Sequence, residues 1–216
     1  MATLRRTVAA AALSLAGAAA FSSAPVVSAL PATSALPAAA PADASGYLPS
    51  SLDKAQNARL QAALDTAIAQ AEKNAASGAK RPGPQAAAVI YYDDTNAPTY
   101  DSLIDQGAAI WNSRVANVKL VERDGAASLV YREGNGQGSY YQGRGRGDGQ
   151  IFIDHAQAAQ YYTLRIVTHE TGHALGLPDR YTQPCSKLMS GGGPGTSCTN
   201  AYPDSVEASE VNTLWN

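Results

Sequence analysis

The sequence predicts an α/β (α+β) sandwich in which a mixed, twisted sheet lies over one long helix and a further helix ends the chain. Three observations carry this reading. Short apolar runs bounded by turn residues recur between residues 87 and 153, a helical segment covers 161–175, and a second one covers 203–215. All three lie in the C-terminal part of the chain, and the residues before them have a different character.

Residues 1–29 begin with Arg5 and Arg6, continue through an apolar run at 8–21 and end in Val27-Ser28-Ala29. That order of charge, apolar stretch and small residues predicts a secretory signal that is removed. The apolar run is too short to span a bilayer comfortably. Residues 30–49 are dominated by Ala, Pro and Ser and hold too few large apolar side chains to build a core. From 52 to 76, Leu52, Leu60, Leu64 and Ile68 recur near helical spacing with charges between them, which predicts one amphipathic helix. It stops at Gly78-Ala79-Lys80-Arg81-Pro82-Gly83-Pro84, whose basic residues and prolines predict an exposed, protease-accessible joint. Residues 30–84 therefore read as a propeptide and 85–216 as the mature domain; the alternative is a helical linker that stays in the mature protein. The whole chain carries a net charge of -2. Residues 85–216 hold 9 Lys+Arg and 14 Asp+Glu, a net -5, which disfavours a nucleic-acid partner.

Within the mature domain, 87–92 is an apolar-aromatic run ended by Asp93-Asp94-Thr95-Asn96, a strand and a turn. Leu103, Ile104, Ala108, Ile110 and Trp111 suit a helix over 99–114. Residues 117–123 and 128–132 read as strands separated by a turn at Asp124-Gly125, and Ile151, Phe152 and Ile153 as a further strand. Between them glycines stand at 134, 136, 138, 143, 145, 147 and 149, a pattern that predicts a flexible loop with an edge strand at 139–142. This loop also contains Arg144-Gly145-Arg146-Gly147 and Arg146-Gly147-Asp148. Both match short recognition motifs that arise by chance in glycine-rich loops, and neither is assigned a function.

Chemistry is concentrated in His169-Glu170-Thr171-Gly172-His173-Ala174-Leu175-Gly176-Leu177-Pro178-Asp179. Residues four apart share a helix face, so His169 and His173 can present two nitrogens to one metal ion. Glu170, beside the first of them, can reach a water at that metal and serve as general base. Gly176 can turn the chain back after the helix, which brings Asp179 toward the same ion. Three protein ligands leave a fourth position open, the arrangement of a catalytic zinc site.

The run HExxHxxGxx followed by a ligand resembles the metzincin metallopeptidases, which end it in His; the version ending in Asp is similar to the snapalysin, or small neutral protease, family. Cys185-Ser186-Lys187-Leu188-Met189-Ser190 resembles that family's Met-turn. Gly191-Gly192-Gly193-Pro194, Cys198-Thr199-Asn200, Val211-Asn212-Thr213-Leu214-Trp215 and Asn96-Ala97-Pro98 also resemble it. The resemblance covers residues 87–215. It implies a metzincin-like zincin domain and a secreted, extracellular zinc endopeptidase acting on proteins or peptides, with one Zn2+ on His169, His173 and Asp179 and Glu170 as base. It further implies an aromatic preference just after the cleaved bond, Tyr181 near the zinc as a hydrogen-bond donor to the transition state, and Met189 as a hydrophobic floor. Family members can carry Ca2+ just before the zinc helix on an Asp and a Thr; Tyr162 and Leu164 stand there in this chain and do not support such a side-chain site.

Cys185 and Cys198 are the only cysteines. In a secreted domain they are expected to form a disulfide, the alternatives being free thiols or zinc ligands. With no cysteine in 30–84, inhibition by the propeptide must come from occupation of the cleft or from a carboxylate such as Asp43 or Asp53. Two rivals stay open: a peptidase with a distant third ligand such as Glu207 or Glu210, and a non-catalytic zinc protein with His155 as fourth ligand. The expected working form is a monomer without nucleic-acid or membrane partners.

Overall fold

The computed structural model describes residues 44–50, 53–78 and 86–216, all within one compact unit. The expected signal at 1–29, Asp43 and most of the expected joint at 78–84 lie outside the described residues. No helix among the described residues is long and apolar enough to cross a membrane.

Six strands form one mixed sheet in the order β1-β5-β6-β4-β2-β3. They are β1 (Ser45–Gly46), β2 (Ala88–Asn96), β3 (Val118–Glu122), β4 (Leu129–Gly134), β5 (Tyr140–Gln142) and β6 (Gly149–Asp154). Strands β3, β2, β4 and β6 run parallel, and β5 and β1 are added antiparallel at one end. Alternation fixes which face is covered. Ile90 and Tyr92, Val118 and Leu120, Leu129 and Tyr131, and Ile151 and Ile153 are all buried.

Helix α2 (Asp101–Arg114) and helix α4 (Thr163–Ala174) bring Ile104, Trp111, Ile166 and Val167 into the same core. The Trp111 indole nitrogen donates to the Thr168 carbonyl at 2.9 Å, which ties α2 to α4. Helix α5 (Ser205–Leu214) starts with a capping box in which the Asp204 side chain accepts from Glu207 N–H and Glu207 reaches back to Asp204 N–H.

Four differences from the sequence reading have physical causes. Strand β2 continues through Asp93–Asn96, where a turn was expected, because it keeps pairing with β4 across a register shift between Asp93 and Asn96. A short helix, α3 (His155–Ala158), follows β6, capped by the Asp154 side chain on Gln157 N–H. The glycine-rich loop, expected to be flexible, is closely packed: a side chain at Gly145 would strike Leu60, and one at Gly147 would strike Ile90. Residues 44–50, expected to contribute nothing to a core, hold the fully buried Tyr47. Helix α1 (Lys54–Ala76) follows that segment and buries Leu60 and Leu64.

Candidate metal and catalytic centre

Helix α4 is buried on every side from Leu164 to Ala174. A helix with polar residues on its buried faces needs a partner for each of them, and most have one. Thr168 and Thr171 return their hydroxyls to the helix's own carbonyls. His169 and His173 turn their Nδ1 atoms to the Leu188 carbonyl at 3.1 Å and the Leu177 carbonyl at 2.8 Å. A carbonyl can only accept, so Nδ1 carries the proton on each ring and Nε2 keeps a free lone pair.

The helix ends where Asp179 can join them. Gly176 takes φ 107°, its N–H bonds the His173 carbonyl, and Leu177 N–H bonds that of Gly172. This is the paired closure of a Schellman turn. A side chain at 176 would also strike Leu214. The reversed chain brings Asp179 Oδ1 to 3.2 Å from each Nε2, and the two Nε2 atoms are 3.1 Å apart. Three lone-pair donors thus face one another across a near-equilateral triangle. Ligands at zinc distances in tetrahedral array stand about 3.3 Å apart, so the triangle fits that ion.

Glu170 is fully buried, and neither of its carboxylate oxygens has a hydrogen-bond partner by geometry. Burial, and then the charge of Asp179, push it well above the usual carboxylate range, opposed only by the Tyr141 backbone. Burial lowers His169. His169, Glu170 and His173 form a group that could hold a metal ion.

Met189 is fully buried beneath α4, where a side chain at Gly172 would strike its sulfur. Two residues that the sequence reading did not assign to the Met-turn hold it in place. Glu207 accepts from Leu188 N–H at 3.1 Å and Met189 N–H at 2.8 Å. The fully buried Arg165 donates to the carbonyls of Gly191 at 3.1 Å, Asn200 at 2.5 Å and Lys187 at 3.0 Å, and to Ser190 Oγ at 2.8 Å. The Asp204-x-x-Glu207 spacing could have pointed to the cap, but nothing local points to the loop that Glu207 also holds. Cys185 and Cys198 form a disulfide with Cα atoms 5.6 Å apart across this segment.

The rival ligands are engaged elsewhere. Glu207 is occupied as described, Glu210 pairs with Arg180 at 2.8 Å, and His155 Nδ1 lies 2.8 Å from the Tyr100 hydroxyl. Tyr162 is exposed and caps α4 without a side-chain bond, while Leu164 lies on the helix's buried side.

The centre is roofed by the N-terminal segment. Strand β1 pairs antiparallel with the edge strand β5, Ser45 opposite Tyr141 and Gly46 opposite Tyr140. Tyr47 N–H donates to Ser139 O at 3.1 Å, and Gly192 N–H to Tyr47 O at 2.8 Å. The Tyr47 ring stands edge-on to His169 with centroids 5.4 Å apart. A side chain at Gly191 would strike the Tyr47 carbonyl oxygen, and one at Gly192 would strike Leu48 and press on the Tyr47 ring. Burial, against the pull of the nearby Arg165, pushes the Tyr47 hydroxyl up to about 12. The Tyr181 hydroxyl is shared between Gly46 O at 2.6 Å and Asp53 Oδ2 at 2.9 Å. Burial, then the charges of Asp179 and Asp53, raise its pKa far above the usual range, so it stays a donor. Asn57 accepts from Asp179 N–H at 2.5 Å.

Residues 87–216 match the family described as the Streptomyces extracellular neutral proteinase (M7) family. The extracellular small neutral protease of Streptomyces lividans is 47% identical over 172 residues, 79% of this chain and 74% of the relative. That of Streptomyces coelicolor is 50% identical over 163 residues, covering 74% and 73%. That of Streptomyces caespitosus is 54% identical over 127 residues, covering 58% of this chain and 96% of the relative. The structure of myroilysin aligns with a TM-score of 0.36 at 24% identity, over 50% of this chain and 55% of that one. The chain belongs to the Streptomyces extracellular neutral proteinase (M7) family.

Proposed function

We propose that the chain is the precursor of a secreted zinc endopeptidase in which His169, His173 and Asp179 hold the metal and Glu170 is the general base. Membership of the family makes the chain a protease, and relatives named extracellular support secretion. One observation supports the finer reading best. Two Nε2 atoms and Asp179 Oδ1 face one another at 3.1–3.2 Å, with the tautomers set so that none of the three donates. Such a triangle is repulsive without a cation at its centre.

Zinc bound there supplies Lewis acidity, lowering the pKa of a water and polarising the scissile carbonyl. Glu170 takes the proton from the attacking water and delivers it to the departing amine. Tyr181 donates to the carbonyl oxygen as negative charge develops on it. Replacing Glu170→Gln tests this assignment: zinc content stays near one per chain, while peptide hydrolysis falls by about 10²–10⁴-fold, the usual worth of a general base.

Residues 30–84 act in this reading as an inhibitory propeptide, and 1–29 as the signal. Ser45 and Gly46 lie along the sheet edge as a substrate would, as an added strand. Gly46 stands where the residue before a scissile bond would stand, with its carbonyl on Tyr181. Tyr47 stands in the position just after that bond, its ring beside His169 and over Gly192. An aromatic preference at that position follows from the same surroundings. Asp53 engages Tyr181 and so immobilises a catalytic group as well as the cleft.

A further inference from the structure

We propose that Asp94, Asp101, Asp105, Glu122 and Asp124 form a calcium site at the far ends of β2 and β3, separate from the zinc centre. The sheet and α2 bring these residues together. Asp94 sits near the end of β2, Asp101 and Asp105 lie one turn apart at the start of α2, and Glu122 ends β3 with Asp124 in the turn beyond it. They make two groups, Asp94 with Glu122 and Asp124, and Asp94 with Asp101 and Asp105. Within each group one carboxylate oxygen per residue lies within 4.8 Å of the others. That spread is about the diameter of a calcium coordination sphere with oxygens at roughly 2.3–2.6 Å.

The residue common to both groups carries the inference. Asp94 is only 4% exposed, and its Oδ2 is buried without a hydrogen-bond partner. A buried carboxylate oxygen left without a donor, among four further carboxylates, is costly unless a cation completes it. No side chain among the described residues does so. Arg144, Arg180 and Lys187 pair with Asp148, Glu210 and Asp204 instead, and Lys119 turns to the carbonyls of Asn112 and Val115. Arg123, between Glu122 and Asp124, lies over the Tyr91 ring and donates to Ala126 O. The neighbouring Asp93 shows the contrast: its carboxylate accepts from Thr95 and from Gly125 N–H.

Oxygen-only ligands select a hard cation over zinc, and a group mixing one buried with several exposed carboxylates suits the flexible sphere of calcium better than the tight octahedron of magnesium. The site would brace the β2–α2 connection. Tyr92 donates to Asp105 at 2.6 Å, its ring packs on Tyr131, and the Tyr131 hydroxyl lies 2.9 Å from Thr171 Oγ1 on α4. The acidic cluster is thereby linked through the core to the helix that carries the zinc ligands.

The test uses the full-length, zinc-loaded chain with Glu170→Gln to limit self-digestion, and it reads calcium binding and unfolding rather than activity, with intact mass confirming an uncut chain. Calcium is titrated by calorimetry and by thermal unfolding, with magnesium in parallel. The expected result is one calcium per chain, with a melting temperature raised by about 5–10 °C at roughly 100-fold excess over Kd. Terbium, used as a calcium probe, should show luminescence sensitised by Tyr92, displaced by calcium and lost in Tyr92→Phe. A variant combining the exposed positions, Asp105→Asn, Glu122→Gln and Asp124→Asn, should fold with an unchanged or higher calcium-free melting temperature, because repulsion is relieved. Its calcium affinity should fall by at least about 30-fold. The inference is overturned by no thermal shift up to about 10 mM calcium, by an equal shift in the triple variant, or by magnesium binding as tightly as calcium.

Discussion

Replacing Tyr47→Ala in the full-length chain separates a cleft-filling propeptide from one that merely precedes the enzyme. Tyr47 is fully buried, its ring against His169 and Gly192. Removing a buried aromatic side chain costs about 3–5 kcal/mol. The closed precursor takes that loss, because in the opened precursor Tyr47 is in water whichever residue it is. At about 1.4 kcal/mol per decade, the open fraction rises by roughly 10²–10³-fold or more. Tyr47→Phe is the matched control. The Tyr47 hydroxyl has no hydrogen-bond partner by geometry, so its loss should not weaken the closed state, and latency should be at least that of wild type. Hydrolysis of a quenched fluorogenic peptide by uncleaved precursor, relative to the same amount of mature enzyme, reads the open fraction. Intact mass confirms that no cut has occurred, and circular dichroism confirms the fold. Latency in Tyr47→Ala equal to wild type, with an active mature enzyme, would refute the reasoning.

Three further outcomes are expected. A thiol-reactive mercurial should leave the precursor latent, because residues 30–84 contain no cysteine and Cys185 and Cys198 are bonded to each other; rapid activation would count against cleft occupation. Changing both cysteines to serine should lower stability by about 3 kcal/mol on the chain-entropy account of a loop this long, read as the denaturation midpoint of zinc-loaded mature protein. Arg165→Met should destabilise by about 3 kcal/mol or more, since several buried acceptors lose their donor at once. Urea denaturation checks this, and Arg165→Lys should restore only part of the loss because one ammonium cannot span that set of acceptors.

Much of this centre was legible in the sequence because its geometry is local. The spacing of His169 and His173, the glycine at 176 and the carboxylate at 179 all lie within one helix and its turn, where periodicity and φ preference settle direction. The sheet strands were legible as short apolar runs bounded by turn residues, at 87–92, 117–123, 128–132 and 151–153. What was illegible depends on distant partners. Arg165 reads as an ordinary helical cation, yet it collects carbonyls from residues 187–200. Ser45 and Gly46 carry no strand propensity and become a strand because β5 offers an unpaired edge. Tyr47 is one aromatic in a run of small residues, and only distant partners, His169 and Gly192 against its ring, give it a place.

The central claim, that Asp179 completes a zinc site with His169 and His173, is tested most directly by zinc retention in single variants. Wild-type, Asp179→Ala and His155→Ala proteins are loaded with zinc, dialysed against a chelator and analysed for metal, with circular dichroism to confirm folding. Wild type and His155→Ala should keep about one zinc per chain, because His155 is bound to Tyr100, and X-ray absorption should fit two imidazole nitrogens and a carboxylate oxygen at about 2.0–2.2 Å. Asp179→Ala should lose the metal and peptide hydrolysis together. Zinc held equally tightly by folded Asp179→Ala and wild type would contradict the account.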